Sequence, residues 1–303
     1  MRVANLITHN PASVHLIKTM GLLMTEHTAF PDLQRTLHYF PIENPHPKVL
    51  TPAQIQQYNE LGYILPLDVF SGAELEAHRA AFNDLMQRAS AKGWDNYSIN
   101  GWQTYCTEIY DLVMTPRILD YVQDLLGENL ICWATHYFAK MPGDGKRVSF
   151  HQDASYWPLT PSKTVTVWLA IDDTDIENGA MTVIPRSHLH GQIMFERSAA
   201  EENNVLNQSV RTPESYGDAP VAFELKAGQM SLHADLLLHG SEPNLSNRRR
   251  CGLTMRFVSP DVRELKGWRR NSIIARGSDP SGHWPHNPRP TEDRIPDKEA
   301  KIF

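Results

Sequence analysis

The feature that most constrains this chain is a change of texture near residue 130. From there the sequence is written in short β-rich runs separated by Gly, Pro and Asn-Gly punctuation. The runs are Ile131–Lys140, Thr164–Ile171, Ala180–Ile184, Val221–Leu225, Gln229–His233, Leu236–His239 and Gly252–Val258. Asn178-Gly179 between two of them is a tight-turn signal. Many short strands with frequent turns predict a sandwich, jelly roll or barrel. Upstream, the punctuation is helical. Thr51-Pro52 reads as an N-cap followed by proline at the first helical position. Gly62–Leu67 reads as a short strand. Ser71 and Glu74 have capping-box spacing and open a helix running to about Arg88. A further helix is expected from Pro116 to Leu126. The expectation is one domain, mainly β, with N-terminal helices packed on its core.

Composition narrows the class. Of 303 residues, 41% are hydrophobic and 21% charged, which is ordinary globular usage and excludes global disorder. No run is long enough to span a membrane, and the first residues lack a signal-peptide core. Three scattered cysteines, Cys106, Cys132 and Cys251, argue against a disulfide scaffold and predict a cytoplasmic protein. A net charge of −6 gives no general attraction to nucleic acid or to an anionic membrane. A small-molecule substrate is the expected partner, and the sequence leaves the oligomeric state open.

Two stretches read His-x-Asp: His151-Gln152-Asp153 and His233-Ala234-Asp235. In a strand, residues i and i+2 face the same way, so either pair could offer nitrogen and oxygen to one metal. His233 and His239 in one extended strand would lie ~20 Å apart. Metal ligands lie ~2.0–2.2 Å from the ion. Those two can therefore share a metal only if the chain turns sharply between them. His151 and Asp153 with His239 from a separate strand satisfy the geometry. Two histidines and a carboxylate leave open positions on an octahedral iron, as in the facial triad of non-haem Fe(II) oxygenases. Arg250 opens the run after His239, where its guanidinium could face a cavity shared with the metal and grip a dicarboxylate co-substrate bidentately. Arg248 and Arg249 are expected in a solvated turn.

Three blocks then carry a resemblance. They are His151-Gln-Asp-Ala-Ser-Tyr-Trp157, Asn178-Gly-Ala-Met-Thr-Val-Ile-Pro-Arg-Ser-His188, and Leu238-His-Gly-Ser241 followed by Arg250. In order and spacing the chain resembles the phytanoyl-CoA dioxygenase family of Fe(II)/2-oxoglutarate oxygenases over roughly residues 51–260. Residues 1–50 form an N-terminal extension outside the match, and 261–303 an irregular tail lying over the domain.

The resemblance implies a double-stranded β-helix, or jelly-roll, core. It also implies Fe(II) on His151, Asp153 and His239, with 2-oxoglutarate and O2 as co-substrates. Arg250 would hold the distal carboxylate with Ser241 beside it, and His136, on the strand Ala134–Lys140, would add a polar contact, Lys140 being a weaker candidate. Phe138, Tyr156 and Trp157 would line a substrate pocket, while Trp168 would belong to the core. Two departures from the family pattern stand out. Arg186 occupies a usual glycine position, and Ala134 stands where a glutamine is common. His188 and His190 are expected to serve structure, and His233 and Asp235 to hydrogen-bond near a strand bend. Residues 190–220 read as a long insertion with few apolar residues.

The reaction implied is hydroxylation of an unactivated C–H bond in a small metabolite or natural-product intermediate, releasing succinate and CO2. Desaturation, epoxidation and ring formation remain open with the same cofactors. A halogenase would have a small residue in place of Asp153. A non-catalytic jelly-roll binder would have no need of both an open iron and a dicarboxylate anchor.

Overall fold

In the computed structural model the described residues are 28, 30–199 and 203–297. The helices are α1 (Pro52–Leu61), α2 (Gly72–Ala91), α3 (Thr107–Val113) and α4 (Pro116–Leu126). In chain order the strands begin with β1 (Tyr63–Asp68), β2 (Leu130–Lys140), β3 (Val148–His151), β4 (Leu159–Thr160), β5 (Thr164–Ala170), β6 (Met181–Val183) and β7 (Glu196–Arg197). They continue with β8 (Gln208–Ser209), β9 (Val221–Ala222), β10 (Gln229–Ala234), β11 (His239–Ser241), β12 (Arg250–Val258), β13 (Arg263–Glu264) and β14 (Ile273–Arg276). A six-stranded sheet, β1-β10-β5-β12-β2-β14, faces a four-stranded sheet, β3-β11-β6-β9. The described pairings within both are antiparallel. This is the expected double-stranded β-helix, with the site between its sheets.

Strand alternation decides what each face does. On β12, Cys251, Leu253, Met255 and Phe257 join Val165, Val167 and Leu169 of β5 in the main apolar core. That core is closed by Phe82 and Leu85 of α2, Leu112 of α3 and Leu119 and Val122 of α4. The helices thus cover the outer face of the large sheet. The other β12 parity, Arg250, Thr254 and Arg256, lines the cavity between the sheets together with Trp168 of β5.

Local signals explain both ends of α1. Thr51 and Gln54 form a capping box, and Gly62 closes α1 in the left-handed region at φ 87°. The Ser71–Glu74 box does not form: Ser71 makes no side-chain cap bond, and Glu74 pairs instead with Arg117 of α4. A tertiary ion pair therefore takes the carboxylate that the spacing assigned to a cap. Residues before α1 are irregular but anchored. Asp124 of α4 accepts the amides of Lys48, Val49 and Leu50, each at 2.8 Å.

Three expectations are corrected. The stretch Leu236–His239 is not one strand: the chain turns after β10, and His239 opens β11 in the opposite sheet. The tail is not wholly irregular, because β14 forms the edge of the six-stranded sheet beside β2, and Trp284 is buried with its indole N–H donating to the Val262 carbonyl. Residues 190–220 are not merely an insertion. Ile193, Phe195 and Val210 pack with Ile184 and Leu238 in a small apolar cluster. Arg186 adopts φ 70°, a left-handed conformation that glycine takes more readily, and its exposed guanidinium pairs with Asp218 at 3.0 Å. Among the described residues no helix is long and apolar enough to cross a membrane.

Candidate metal and co-substrate site

The site is built where β3 and β11 lie side by side, with His151 directly opposite His239 in the register. Asp153 follows in a short turn of 3₁₀ helix. Each histidine anchors its Nδ1 on a backbone carbonyl two residues earlier: His151 on Ser149 at 2.8 Å, His239 on Leu237 at 2.9 Å. Both Nε2 atoms therefore turn toward Asp153 Oδ1, at 3.8 and 3.9 Å. One ligand atom from each of the three residues lies within 4.8 Å of the others, and all three residues are buried. Carbonyl-oriented imidazoles with their second nitrogens converging on a carboxylate are how proteins fix metal-binding histidines. The donor set fits a hard-to-borderline divalent ion such as Fe(II).

Electrostatics presets the ligands. Burial, with His151 alongside, lowers His239 to about 3, so its ring is neutral and free to donate to a metal at neutral pH. Burial alone would raise the Asp153 carboxyl. The imidazoles of His151 and His233 and the nearby His239 and Arg256 outweigh it and hold Asp153 well below the usual carboxylate range.

A cavity of about 320 Å³ opens onto these groups. Arg250, buried, lies toward one end, its Nη2 3.5 Å from Ser241 Oγ and its guanidinium 5.6 Å above the Trp168 ring. Burial lowers its pKa to about 10, still charged at neutral pH. Trp168 lies over Gly252, where a Cβ would meet the indole at 2.1 Å. Trp168 was expected in the core, and it is both buried and part of the cavity wall. Phe138, Tyr156 and Trp157 also line the cavity, as does His136. His136 bonds the Tyr97 carbonyl through Nε2 at 2.7 Å, and Tyr156 meets His151 in a T-shaped ring contact at 5.5 Å while its hydroxyl accepts the Gln208 amide. Lys140 points elsewhere: its ammonium bonds the carbonyls of Ser241 and Glu242.

Two sequence assignments change. His233 does not hydrogen-bond at a bend. The turn after β10 brings its ring to 5.1 Å from His239, with Nε2 3.9 Å from Asp153 Oδ2, and neither ring nitrogen has a hydrogen-bond partner among the described residues. Asp235 does bond as expected, accepting from Ser162 Oγ at 2.6 Å. Arg249 is not in a solvated turn: it grips Asp172 at 2.7 and 3.0 Å and lies over Phe82 of α2. Arg248 is exposed and pairs with Asp175 and Glu177. Sequence reading missed Arg256 and Thr166, which share the cavity-facing parity with Arg250 and Trp168.

An antiparallel jelly roll with an apposed two-histidine, one-carboxylate cluster defines the class of non-haem iron oxygenases. The phytanoyl-CoA dioxygenase (PhyH) family profile matches residues 58–252, and the chain belongs to that Fe(II)/2-oxoglutarate-dependent family. It is 31% identical over 166 residues to a probable alpha-ketoglutarate-dependent hypophosphite dioxygenase of Stutzerimonas stutzeri, covering 54% of this chain and 57% of that protein. To human peroxisomal phytanoyl-CoA dioxygenase it is 28% identical over 174 residues, covering 55% and 51%. The chain thus spans little more than half the length of these relatives. Among solved structures, the apo non-heme monooxygenase ThoJ superposes with a TM-score of 0.68 at 27% identity, covering 78% of this chain and 88% of that one. EctD from S. alaskensis shares the fold, with a TM-score of 0.65 at 17% identity over 85% of this chain and 94% of its own.

Proposed function

We propose that this protein is a dioxygenase that hydroxylates an unactivated C–H bond of a small metabolite or natural-product intermediate, converting 2-oxoglutarate to succinate and CO2. The observation that carries the reading is one cavity bearing both the convergent His151, Asp153 and His239 and the buried guanidinium of Arg250. His151, Asp153 and His239 hold Fe(II). Arg250, with Ser241 beside it, receives the distal carboxylate of 2-oxoglutarate, and Trp168 supports the guanidinium from below. His136 offers a further polar contact through its remaining ring nitrogen. Phe138, Tyr156 and Trp157 shape the substrate wall and exclude water. Fe(II) and 2-oxoglutarate together supply the oxidising power with O2, while the chain supplies geometry and a dry pocket. The similarity to the alpha-ketoglutarate-dependent Stutzerimonas relative supports the co-substrate.

The test is aerobic succinate formation from 2-oxoglutarate by the Fe(II)-loaded protein, followed by chromatography. Slow succinate release without added substrate is expected, lost in Asp153→Ala. Equal succinate from the parent and Asp153→Ala would contradict the proposal.

A further inference from the structure

Arg256 is the second buried guanidinium in the cavity, with 7% of its surface exposed. In the antiparallel register it lies opposite Ala134 on β2 and Thr166 on β5, and Thr166 lies opposite His233 on β10. One row of side chains, His233–Thr166–Arg256, therefore crosses the large sheet on the face that lines the cavity with Asp153. Thr166 Oγ1 and His233 Nε2 already flank Asp153 Oδ2, at 3.4 and 3.9 Å. Arg256 makes no ion pair within 4.0 Å and no hydrogen bond to any described residue, and its Nε is buried without a partner. The Trp157 ring lies 4.9 Å from the guanidinium. Ala134 opposite is small enough to leave the guanidinium room.

The nearest counter-charge is Asp153, which Arg256 feels but does not reach within 4.0 Å and which is itself placed to hold a metal. A buried charge without a close ion pair is unfavourable, and an aromatic face offsets only part of that. Arg250 sits six residues away along β12, roughly 20 Å at ~3.3 Å per residue, so the two cations mark opposite ends of the strand face. The distal carboxylate held by Arg250 is therefore not the partner of Arg256. On one side of Arg256 the wall is apolar and flat: Trp157 packs edge-on against Trp133 at 5.3 Å, and both line the cavity.

We infer that Arg256 is the specificity anchor for the oxidised substrate, and that this substrate carries an oxyanion head group on an apolar body that lies along Trp157 and Trp133. The inference deepens the function proposed above and rests on it. The head group would complete the missing ion pair at Arg256, and the apolar body would run back past the triad. The fork of Arg256 suits a planar carboxylate and a phosphoryl group alike.

The test uses the full chain and paired probes: phenylacetate, 3-phenylpropionate and benzylphosphonate against phenylacetamide and 3-phenylpropionamide. Dissociation constants come from calorimetry on the anaerobic protein with Fe(II) and 2-oxoglutarate present. At least one anion is expected to bind the parent about tenfold or more tightly than its neutral counterpart. Carboxylates leading would mark the head group as a carboxylate, and the phosphonate leading would mark it as phosphoryl. The preference should vanish in Arg256→Gln and return in part in Arg256→Lys, which keeps the charge but not the fork. No anion preference in the parent overturns the inference, as does a preference that survives in Arg256→Gln. So does a loss of 2-oxoglutarate affinity in Arg256→Gln as large as that of Arg250→Ala, which would give Arg256 to the co-substrate. The visible charge-transfer band of bound Fe(II) and 2-oxoglutarate reports whether each variant keeps an intact site. If the parent itself lacks that band, the co-substrate reading fails, while the calorimetric anion preference still decides the role of Arg256.

Discussion

Arg250 is buried beside Ser241 and over Trp168, while Arg249, one residue earlier, faces the other way and grips Asp172. That difference fixes their expected phenotypes. Truncating one partner of a buried charged pair costs ~2–5 kcal/mol, so Arg250→Ala should weaken 2-oxoglutarate about 30- to 3,000-fold. Arg250→Lys should recover part of the loss. Arg249→Ala should leave 2-oxoglutarate affinity unchanged but lower stability, since it leaves Asp172 with Arg79 alone at 3.5 Å and removes the contacts of Arg249 to Asn83 and Phe82 of α2. Titration with 2-oxoglutarate and thermal melting separate these outcomes. His151→Ala and Asp153→Ala should abolish Fe(II) binding, read by metal analysis after desalting, and retain cooperative melting. The triad was legible because metal chemistry demands donors from separate strands, and only one His-x-Asp had a histidine placed to join it. His233 was not legible, because a four-residue turn, rather than strand parity, sets its position.

Strand parity carried some elements and was not pressed far enough in others. Applied to Ala134–Lys140 it placed His136 and Phe138 in the cavity; applied to β12 it would have placed Thr254 and Arg256 there too. The glycine of that face has its own consequence. Gly252→Ala puts a methyl group 2.1 Å from the Trp168 indole. Overpacking of this kind costs about 1–3 kcal/mol and must displace the ring that supports Arg250. Melting temperature and 2-oxoglutarate affinity should therefore fall together, whereas a substitution that only strains the core would lower the first alone. The tail was misread because Ile273–Arg276 is too short to declare itself a strand among prolines and arginines. Its pairing exposes a dependency: a chain ending at residue 260 leaves the β2 edge unpaired and removes Trp284 from its cluster. Such a chain should lose cooperative melting by circular dichroism. Exposed strand edges also favour aggregation, which light scattering would show.

At the scale of the molecule, buried titratable groups couple stability to pH. Burial lowers His136 and His239 to about 3 and His188 to about 4, against an ordinary 6.5. These rings stay neutral in the fold, and the unfolded chain takes up their protons as pH falls through 6.5. Their contribution is therefore present above 6.5 and lost toward pH 4. Burial raises Asp235 to about 7 from 3.8, which works the other way: its folded form binds a proton that the unfolded chain has released. Near pH 5 three uptakes oppose one release, a net of about two protons and ~2–3 kcal/mol per pH unit. Denaturant melts of the metal-free protein between pH 7 and 4.5 should show stability falling steadily, and a flat profile would contradict the buried, neutral histidines. The central claim joins the two sheets: a triad on one and an arginine on the other must hold Fe(II) and 2-oxoglutarate at once. Anaerobic titration of the Fe(II) protein with 2-oxoglutarate, followed by visible absorption, tests it most directly. A saturable charge-transfer band that is absent in Asp153→Ala and shifted to much higher 2-oxoglutarate concentration in Arg250→Ala is the predicted result. No band in the parent, or an undiminished one in both variants, would contradict it.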